Sequence, residues 1–471
     1  MTKIVGRKAE KSVLQEALES NKSELVAVYG RRRVGKTYLV REFYQKEILF
    51  EVSGLYNGGL KDQLNNFTKE LSKRYNCDIE DAPKTWLDAF TCLEEYLDQV
   101  KGTKKKVVFL DEFPWMATSR SKFQMAFENF WNSYCAKRAD IIVVICGSAA
   151  SYMVKKIIKN KGGLHNRISR QIRLLPFNLA ETDEFLRTRG LKYTKYDVVQ
   201  LYMALGGVPH YLEKLKKGMS VSQNIDQICF SKDGGLSDEF NQLFASLFQD
   251  SERHMKIIRL LASNNRGFTR NELMEKMKTQ SSGDFSLKME ELIESGFVSE
   301  EGFYGNKKKL SVYRLSDEYS KFYLKFIDGN KNGGEGTWQQ LSATPSYKSW
   351  SGFVFESICL KHIVQIKRAL RIDAIYSTSS CWSNAHAQID LLIDRADNVM
   401  NVCEIKFYNG PYTLDKKYYL NLKNKITELQ RDTKTRKNIY VTMITAFGIN
   451  DNEYSRELVQ NSLDIEVLFQ Q

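Results

Sequence analysis

Four short apolar runs dominate the first third of the chain. Leu25 to Tyr29, Ile48 to Gly54, Val107 to Leu110 and Ile141 to Cys146 are mostly apolar rather than alternating, and polar segments bound each one. Such runs read as strands buried on both faces, the pattern of a parallel sheet covered by helices. After the first run, Leu39, Val40 and Phe43 recur at helical spacing. The chain therefore opens as an α/β domain.

The pattern changes further on. Ile257, Ile258, Leu260 and Leu261 follow a helical stripe, and Thr269 can cap the next helix, "RNELMEKM". "SLKMEELIES", Ser286 to Ser295, reads as a third helix, ended by Gly296. A basic hairpin around Lys307, Lys308 and Lys309 follows, and then another helix. Three short helices with a basic wing make a winged-helix pattern. In that motif the third helix enters the DNA major groove. Here it carries three glutamates and one lysine, a poor surface for phosphates, so the lysine triplet is the better contact. A packing or signal-relay role is the alternative.

"NKNGGEGTW", Asn330 to Trp338, reads as a Gly-rich linker. Beyond it, "SWSGFVFESICLKHIVQIKRAL" predicts an amphipathic helix with Glu356 in its first half. "QIDLLIDRADNVMNVCEIKFY" then predicts a hairpin turning at Asp397-Asn398. Strand alternation puts Asp390, Leu392 and Asp394 on one face of its first strand. Glu404 and Lys406 share a face of the second, with Cys403, Ile405 and Phe407 on the other. Charges embedded in apolar strands are costly and need a reason. "NIYVTMITAFG" supplies a later buried strand.

Composition narrows the classes. The 471 residues suggest about two to four domains, and 42% hydrophobic content suffices for packed cores. No apolar run is long enough for a membrane span, and the N-terminus lacks the apolar centre of a secretion signal. Eight cysteines without a C-x-x-C pair read as reduced thiols, so a cytoplasmic location is expected. A net charge of +13 favours an anionic partner, DNA first, although a solvated basic surface gives the same balance.

The strongest chemical signal is Gly30-Arg31-Arg32-Arg33-Val34-Gly35-Lys36-Thr37, between a strand and a helix. It matches G-x-x-x-x-G-K-[ST] in the required context. The glycines let backbone N–H groups face phosphates, and the helix N-terminus adds positive potential. Lys36 is expected on the β- and γ-phosphates of ATP, and the Thr37 hydroxyl on Mg²⁺. Asp111, at the end of a buried strand, suits Mg²⁺ held through water. Glu112 beside it suits polarisation of the attacking water, with an exposed helix-start acid as the alternative. Ser148 ends the run "DIIVVICGS" and resembles the γ-phosphate sensor of the ASCE group of ATPases, which includes AAA+ proteins, with a helix N-cap as the alternative. Arg167, ahead of Arg170 and Arg173, is a candidate transition-state arginine, often supplied by a neighbouring subunit. A basic surface loop is the bland alternative.

"GRRRVGKT", "FLDEFPWM", "GSAASYM", "LLPF" and "GGVPHYL", in this order, resemble the archaeal-type ATPases of the AAA+/STAND superfamily. The resemblance implies an ASCE-type core in which the strand before Ser148 lies between the two nucleotide strands. It also implies a helical lid, and a nucleotide state that controls an effector or an assembly. Asp390 with Glu404-x-Lys406 resembles the PD-(D/E)XK nuclease-like superfamily, a frequent C-terminal companion of these ATPases. That resemblance implies Mg²⁺ held by Asp390 and Glu404, with Glu356 as the helix-borne acid. Lys406 would position or deprotonate water. An inactive DNA binder, a partner-binding module and a structural Glu404–Lys406 salt bridge remain alternatives.

The expected architecture is thus an α/β P-loop ATPase core over 1–180 and a helical lid over 181–235. A winged helix over 236–330 and a nuclease-like α/β domain over 331–471 complete it. The expected function is Mg-ATP hydrolysis gating a nuclease-like effector on DNA. The alternative is an ATP-dependent switch that binds a protein partner through an inactive nuclease-like domain. Self-association stays open.

Overall fold

The computed structural model describes the chain apart from residues 1–3, 76–81, 103, 150–151, 159–161, 165, 249, 280–281, 306–310, 331–332 and 471. The chain divides into two compact units. The first comprises residues 1–176 with the short segments 247–249 and 294–296; the second holds 177–246, 250–293 and 297–471.

In the first unit, β1 (Glu24–Tyr29), β2 (Ile48–Ser53), β3 (Lys106–Asp111), β4 (Ile141–Gly147) and β5 (Arg170–Arg173) form one parallel sheet. Its order is β2-β3-β4-β1-β5. The continuous apolar runs follow from burial on both faces. Leu25 and Ala27 enter one core with Val108, Leu110, Val143 and Ile145. Val26 and Val28 enter the other with Val107, Phe109, Ile142 and Val144. Alternate residues of each strand thus feed opposite cores. The first core is closed by the helices Leu60–Tyr75 and Trp86–Gln99, the second by Lys8–Glu19 and Lys36–Phe43. As the resemblance implied, β4 lies between β1 and β3, so the turns after all three strands meet at one sheet end.

The second unit begins with helices that include Leu179–Thr188, Lys195–Leu205 and Val221–Phe230. Next come helices Ser251–Ala262, Arg270–Lys276 and Ser282–Glu294, the last ending beside the unit boundary. An antiparallel sheet follows, ordered β6 (Phe268–Thr269), β8 (Ser311–Leu315), β7 (Val298–Gly302). Thr269 caps its helix as expected, in a capping box with Glu272. The Lys307–Lys309 triplet lies outside the described residues.

The Gly-rich stretch read as a linker is anchored at its far end. Both carboxylate oxygens of buried Asp226 accept backbone N–H groups, from Gly336 and Trp338, at 2.7 Å each. Trp338 packs among Phe230, Phe322 and Phe326. Composition shows the glycines but not the aspartate 110 residues earlier that ties them down.

The last sheet is ordered β13 (Val459–Leu463), β12 (Asn438–Thr445), β11 (Val399–Lys406), β10 (Gln388–Arg395), β9 (Ser377–Ser383). β9, β10 and β11 pair antiparallel; β11, β12 and β13 pair parallel. The hairpin turns as predicted, with Asn398 in the left-handed region at φ 64°. The predicted long amphipathic helix is two helices, Pro345–Lys361 and Ile363–Ala369, broken at His362. Glu356 therefore lies in the second half of the first helix, because Thr344 caps it and Pro345 starts it earlier than the apolar pattern does. Among the described residues no helix is long and apolar enough to cross a membrane.

Candidate functional site

The phosphate loop leaves β1 at Gly30, whose φ is +147°. A Cβ there would stand 2.2 Å from the Leu174 carbonyl oxygen, so the loop and the chain after β5 approach each other only over a glycine. Arg33 and Gly35 take positive φ values of 69° and 89°, and the second starts the helix Lys36–Phe43. Arg31 and Val34 are buried, anchoring the loop. Arg32 sits over the Trp115 ring, 5.2 Å from its centroid. Lys36 is 6% exposed, and its amine donates to the Arg31 carbonyl at 2.9 Å. The lysine thus curls over its own loop.

Two polar contacts join the three strand ends. The Thr37 hydroxyl donates to Asp111 Oδ2 at 2.9 Å. Asp111 Oδ1 accepts the Glu112 backbone N–H at 3.0 Å. Glu112, in the left-handed region at φ 45°, turns its carboxylate toward β4. There Glu112 Oε2 accepts from the Ser148 hydroxyl at 2.7 Å and from the Ser148 N–H at 3.1 Å. The set fits Mg-ATP: a cationic lysine, a hydroxyl beside a buried carboxylate, and a second carboxylate one residue on.

Arg167 is not brought to this group. It is exposed in the loop before β5. Because β5 runs parallel to β1 and pairs Arg170 with Val26, Arg167 lies at the sheet end opposite the phosphate loop. Arg170 is held by Glu16 at 2.5 Å. Arg173, paired with Tyr29, is the arginine of the three at the phosphate-loop end.

In the second unit, the β10–β11 ladder pairs Leu391 with Cys403. The same register carried one residue further sets Asp390 opposite Glu404. Glu404 is 4% exposed. Lys406 reaches its Oε1 and Lys425 its Oε2, at 2.8 Å each, and the Tyr418 hydroxyl donates to Oε1. Burial works to raise the Glu404 pKa, but Lys406 and Lys425 hold it below the ordinary value. Burial works to lower that of Lys406, and Glu404 with Glu356 holds it above. Glu356 is the opposite case. Burial, then Asp390, push its carboxyl up to about 8, with Lys406 opposing and Glu404 adding to the rise. The Gln388 amide donates to Asp390 Oδ1 at 2.6 Å.

The four residues therefore share one electrostatic neighbourhood, but it is not a metal cage. Among the described residues no group of three or more His, Cys, Asp or Glu is placed to hold a metal ion. Both Glu404 oxygens are occupied by cations, and Glu356 favours its neutral form near pH 7. The expectation of Mg²⁺ on Glu356, Asp390 and Glu404 does not fit these contacts. Two lysines already neutralise the carboxylate the ion would need.

Residues 4–215 match a family described as ATPase domains predominantly from Archaea. This chain carries an archaeal-type ATPase domain. Residues 323–424 match a family of archaeal and bacterial proteins of unknown function. An uncharacterized protein of Methanocaldococcus jannaschii is 25% identical over 427 residues, 90% of this chain and 91% of that one. An uncharacterized ATP-binding protein of the same organism is 44% identical over 44 residues, 9% of this chain and 75% of that protein. A Walker-type ATPase of Pyrococcus abyssi is similar with a TM-score of 0.47 and 16% identity, covering 68% of this chain and 96% of that chain.

In the archaeal-type ATPase domain, strand-end motifs located Lys36, Thr37, Asp111, Glu112 and Ser148. Outside it, Tyr418 and Lys425 were missed. Both lie on the helix Lys416–Thr433 and contact Glu404. Tyr418, Leu422, Lys425 and Leu429 recur at helical spacing, a stripe that marks the face turned to the sheet.

Proposed function

We propose that this protein is a Mg-ATP-hydrolysing switch whose nucleotide state controls a C-terminal nuclease-like domain acting on DNA without cutting it. The observation carrying the ATPase half is the pair of contacts Thr37–Asp111 and Glu112–Ser148 at adjoining strand ends. Lys36 would bind the β- and γ-phosphates, once drawn from the Arg31 carbonyl. Thr37 and Asp111 would hold Mg²⁺, which neutralises phosphate charge when bound. Both Ser148 donors end on Glu112 Oε2. That leaves Glu112 Oε1 as the oxygen to orient a water and take its proton. Loss of phosphate release in Lys36→Ala and Glu112→Gln tests this; undiminished turnover in both would sink it.

The non-cutting half is supported by the cation-filled Glu404. The net charge of +13 supports an anionic partner, and the three helices with their antiparallel sheet (read as a winged helix) add a second candidate DNA contact. Asp390, Glu404 and Lys406 on facing strands favour the competing reading, an active nuclease. Gel-shift and cleavage assays on duplex and single-stranded DNA with Mg²⁺ or Mn²⁺ separate the two. Retarded but intact DNA fits the proposal. Cutting that Asp390→Ala abolishes replaces it with the nuclease, and no retardation under any nucleotide leaves a protein-binding switch.

A further inference from the structure

A well-formed cavity lies within the second unit. It holds about 500 Å³ and is bounded by the end of helix Ser251–Ala262, β7, β8, the segment from Lys321 to Lys325 and helix Pro345–Lys361. That volume is in the range of small-ligand sites.

Its lining sets three cations, Arg314, Lys321 and Lys325, against two acids, Glu301 and Glu356. Arg314 Nε is buried and makes no hydrogen bond; Glu301 Oε2 is 3.4 Å away, an ion pair only. The indole N–H of Trp350 is also buried without a partner. Lys321 donates to the Ser357 hydroxyl at 2.7 Å and, among the described residues, forms no ion pair. Buried donors left unmet are costly, so their collection in one cavity calls for an acceptor-rich occupant. Lys325 adds a further cation at the edge. Phe353, on the helix Pro345–Lys361 that also carries Trp350, lines the cavity with a ring that is 41% exposed.

We infer that this cavity binds the nucleoside 5′-monophosphate group, with the phosphate on Arg314 and Lys321 and the base against Phe353. A guanidinium and an ammonium are the usual partners of phosphate oxygens. A base ring stacks on any exposed aromatic face. The charge balance agrees. Glu301 is the acid already paired with Arg314, and burial with Asp390 keeps Glu356 largely neutral near pH 7. Burial lowers the Lys321 pKa to about 8, which an anion beside it would reverse. The site owes nothing to the ATPase reading, and it needs no metal.

The test is calorimetric titration of the full chain carrying Lys36→Ala, which removes the phosphate-loop lysine. AMP is the probe, with inorganic phosphate and adenosine as its two halves. AMP binding tighter than either half is expected. Arg314→Gln or Lys321→Met should weaken AMP at least tenfold while the melting curve keeps its shape. If Arg314→Gln fails to fold, Lys325→Gln carries the test, with a weakening of about threefold expected from one exposed cation. AMP binding unchanged in these variants, or absent at millimolar AMP, overturns the inference. Competition by a 5′-phosphorylated oligonucleotide assigns the phosphate to a nucleic-acid end, and its absence to a free mononucleotide.

Discussion

Glu112 and Ser148 stand on turns after different strands, yet the serine gives both its hydroxyl and its backbone N–H to a single oxygen of the glutamate. The strand order makes this contact, because β3 and β4 are neighbours. It orients a carboxylate beside the phosphate loop and leaves its other oxygen for water.

Glu112→Gln should therefore cut ATP turnover by about 100-fold or more, the usual contribution of a general base. ATP affinity should change little, since Glu112 does not hold phosphate. Ser148→Ala removes one of two donors and should cost less than Glu112→Gln. Phosphate-release rates beside nucleotide titrations check both. A Ser148→Ala enzyme slower than Glu112→Gln would contradict the orienting role.

Gly30→Ala should destabilise the first unit by more than about 1 kcal/mol, because a side chain at positive φ is strained. The 2.2 Å approach to Leu174 adds a clash with backbone, which cannot swing aside. Chemical denaturation measures it; wild-type stability in the variant would mean that the loop sits elsewhere.

Glu404→Ala should cost about 3 kcal/mol at neutral pH, since it leaves two partly buried lysines without their acid. Lys425→Met should cost less, because Lys406 still pairs with Glu404. The sign with pH follows from the lowered Glu404 pKa. Its stabilisation is present above the ordinary value of 4.5 and is lost as pH falls through the lower folded value. The gap between wild type and Glu404→Ala should close in acid. Urea midpoints at pH 7 and pH 3.5 test this.

Glu356 gives the reverse trend. Its carboxyl is raised from 4.5 to about 8, so between those values the folded state binds more protons than the unfolded one. Wild-type stability should fall across that window as pH rises. Glu356→Gln, which stays neutral, should gain on wild type from pH 5 to pH 8 and no further above it. Melting temperatures at pH 5, 7 and 9 decide, and a constant difference would place Glu356 in water.

Arg167 lies at the sheet end opposite its own phosphate loop. If it serves catalysis, it does so in a neighbouring subunit. Lys36→Ala and Arg167→Ala should each be inactive alone, and an equal mixture should regain a measurable part of the turnover. Full activity of Arg167→Ala would return it to the basic-loop reading.

The phosphate-loop half was legible because its signals are local. A strand buried on both faces must be apolar throughout, so β1, β3 and β4 stand out, and their polar ends are the site. The hairpin of β10 and β11 was legible for the same reason. Bringing Lys425 and Tyr418 onto Glu404 needs a helix to lie across a sheet, and nothing in the hairpin announces it. The Glu356 helix start was misplaced because a cap at Thr344 and a proline outrank the apolar pattern.

By itself the sequence determined which residues could bind phosphate and which acids stood at strand ends, since short-range pattern and glycine geometry decide those. Only the tertiary structure decided how the charges were used. It gave Glu112 a serine and Glu404 two lysines, and it gathered Arg314, Lys321 and Trp350 around one cavity. Hydrogen bonds and ion pairs act over a few ångströms, so their partners are set by packing between segments far apart in the chain.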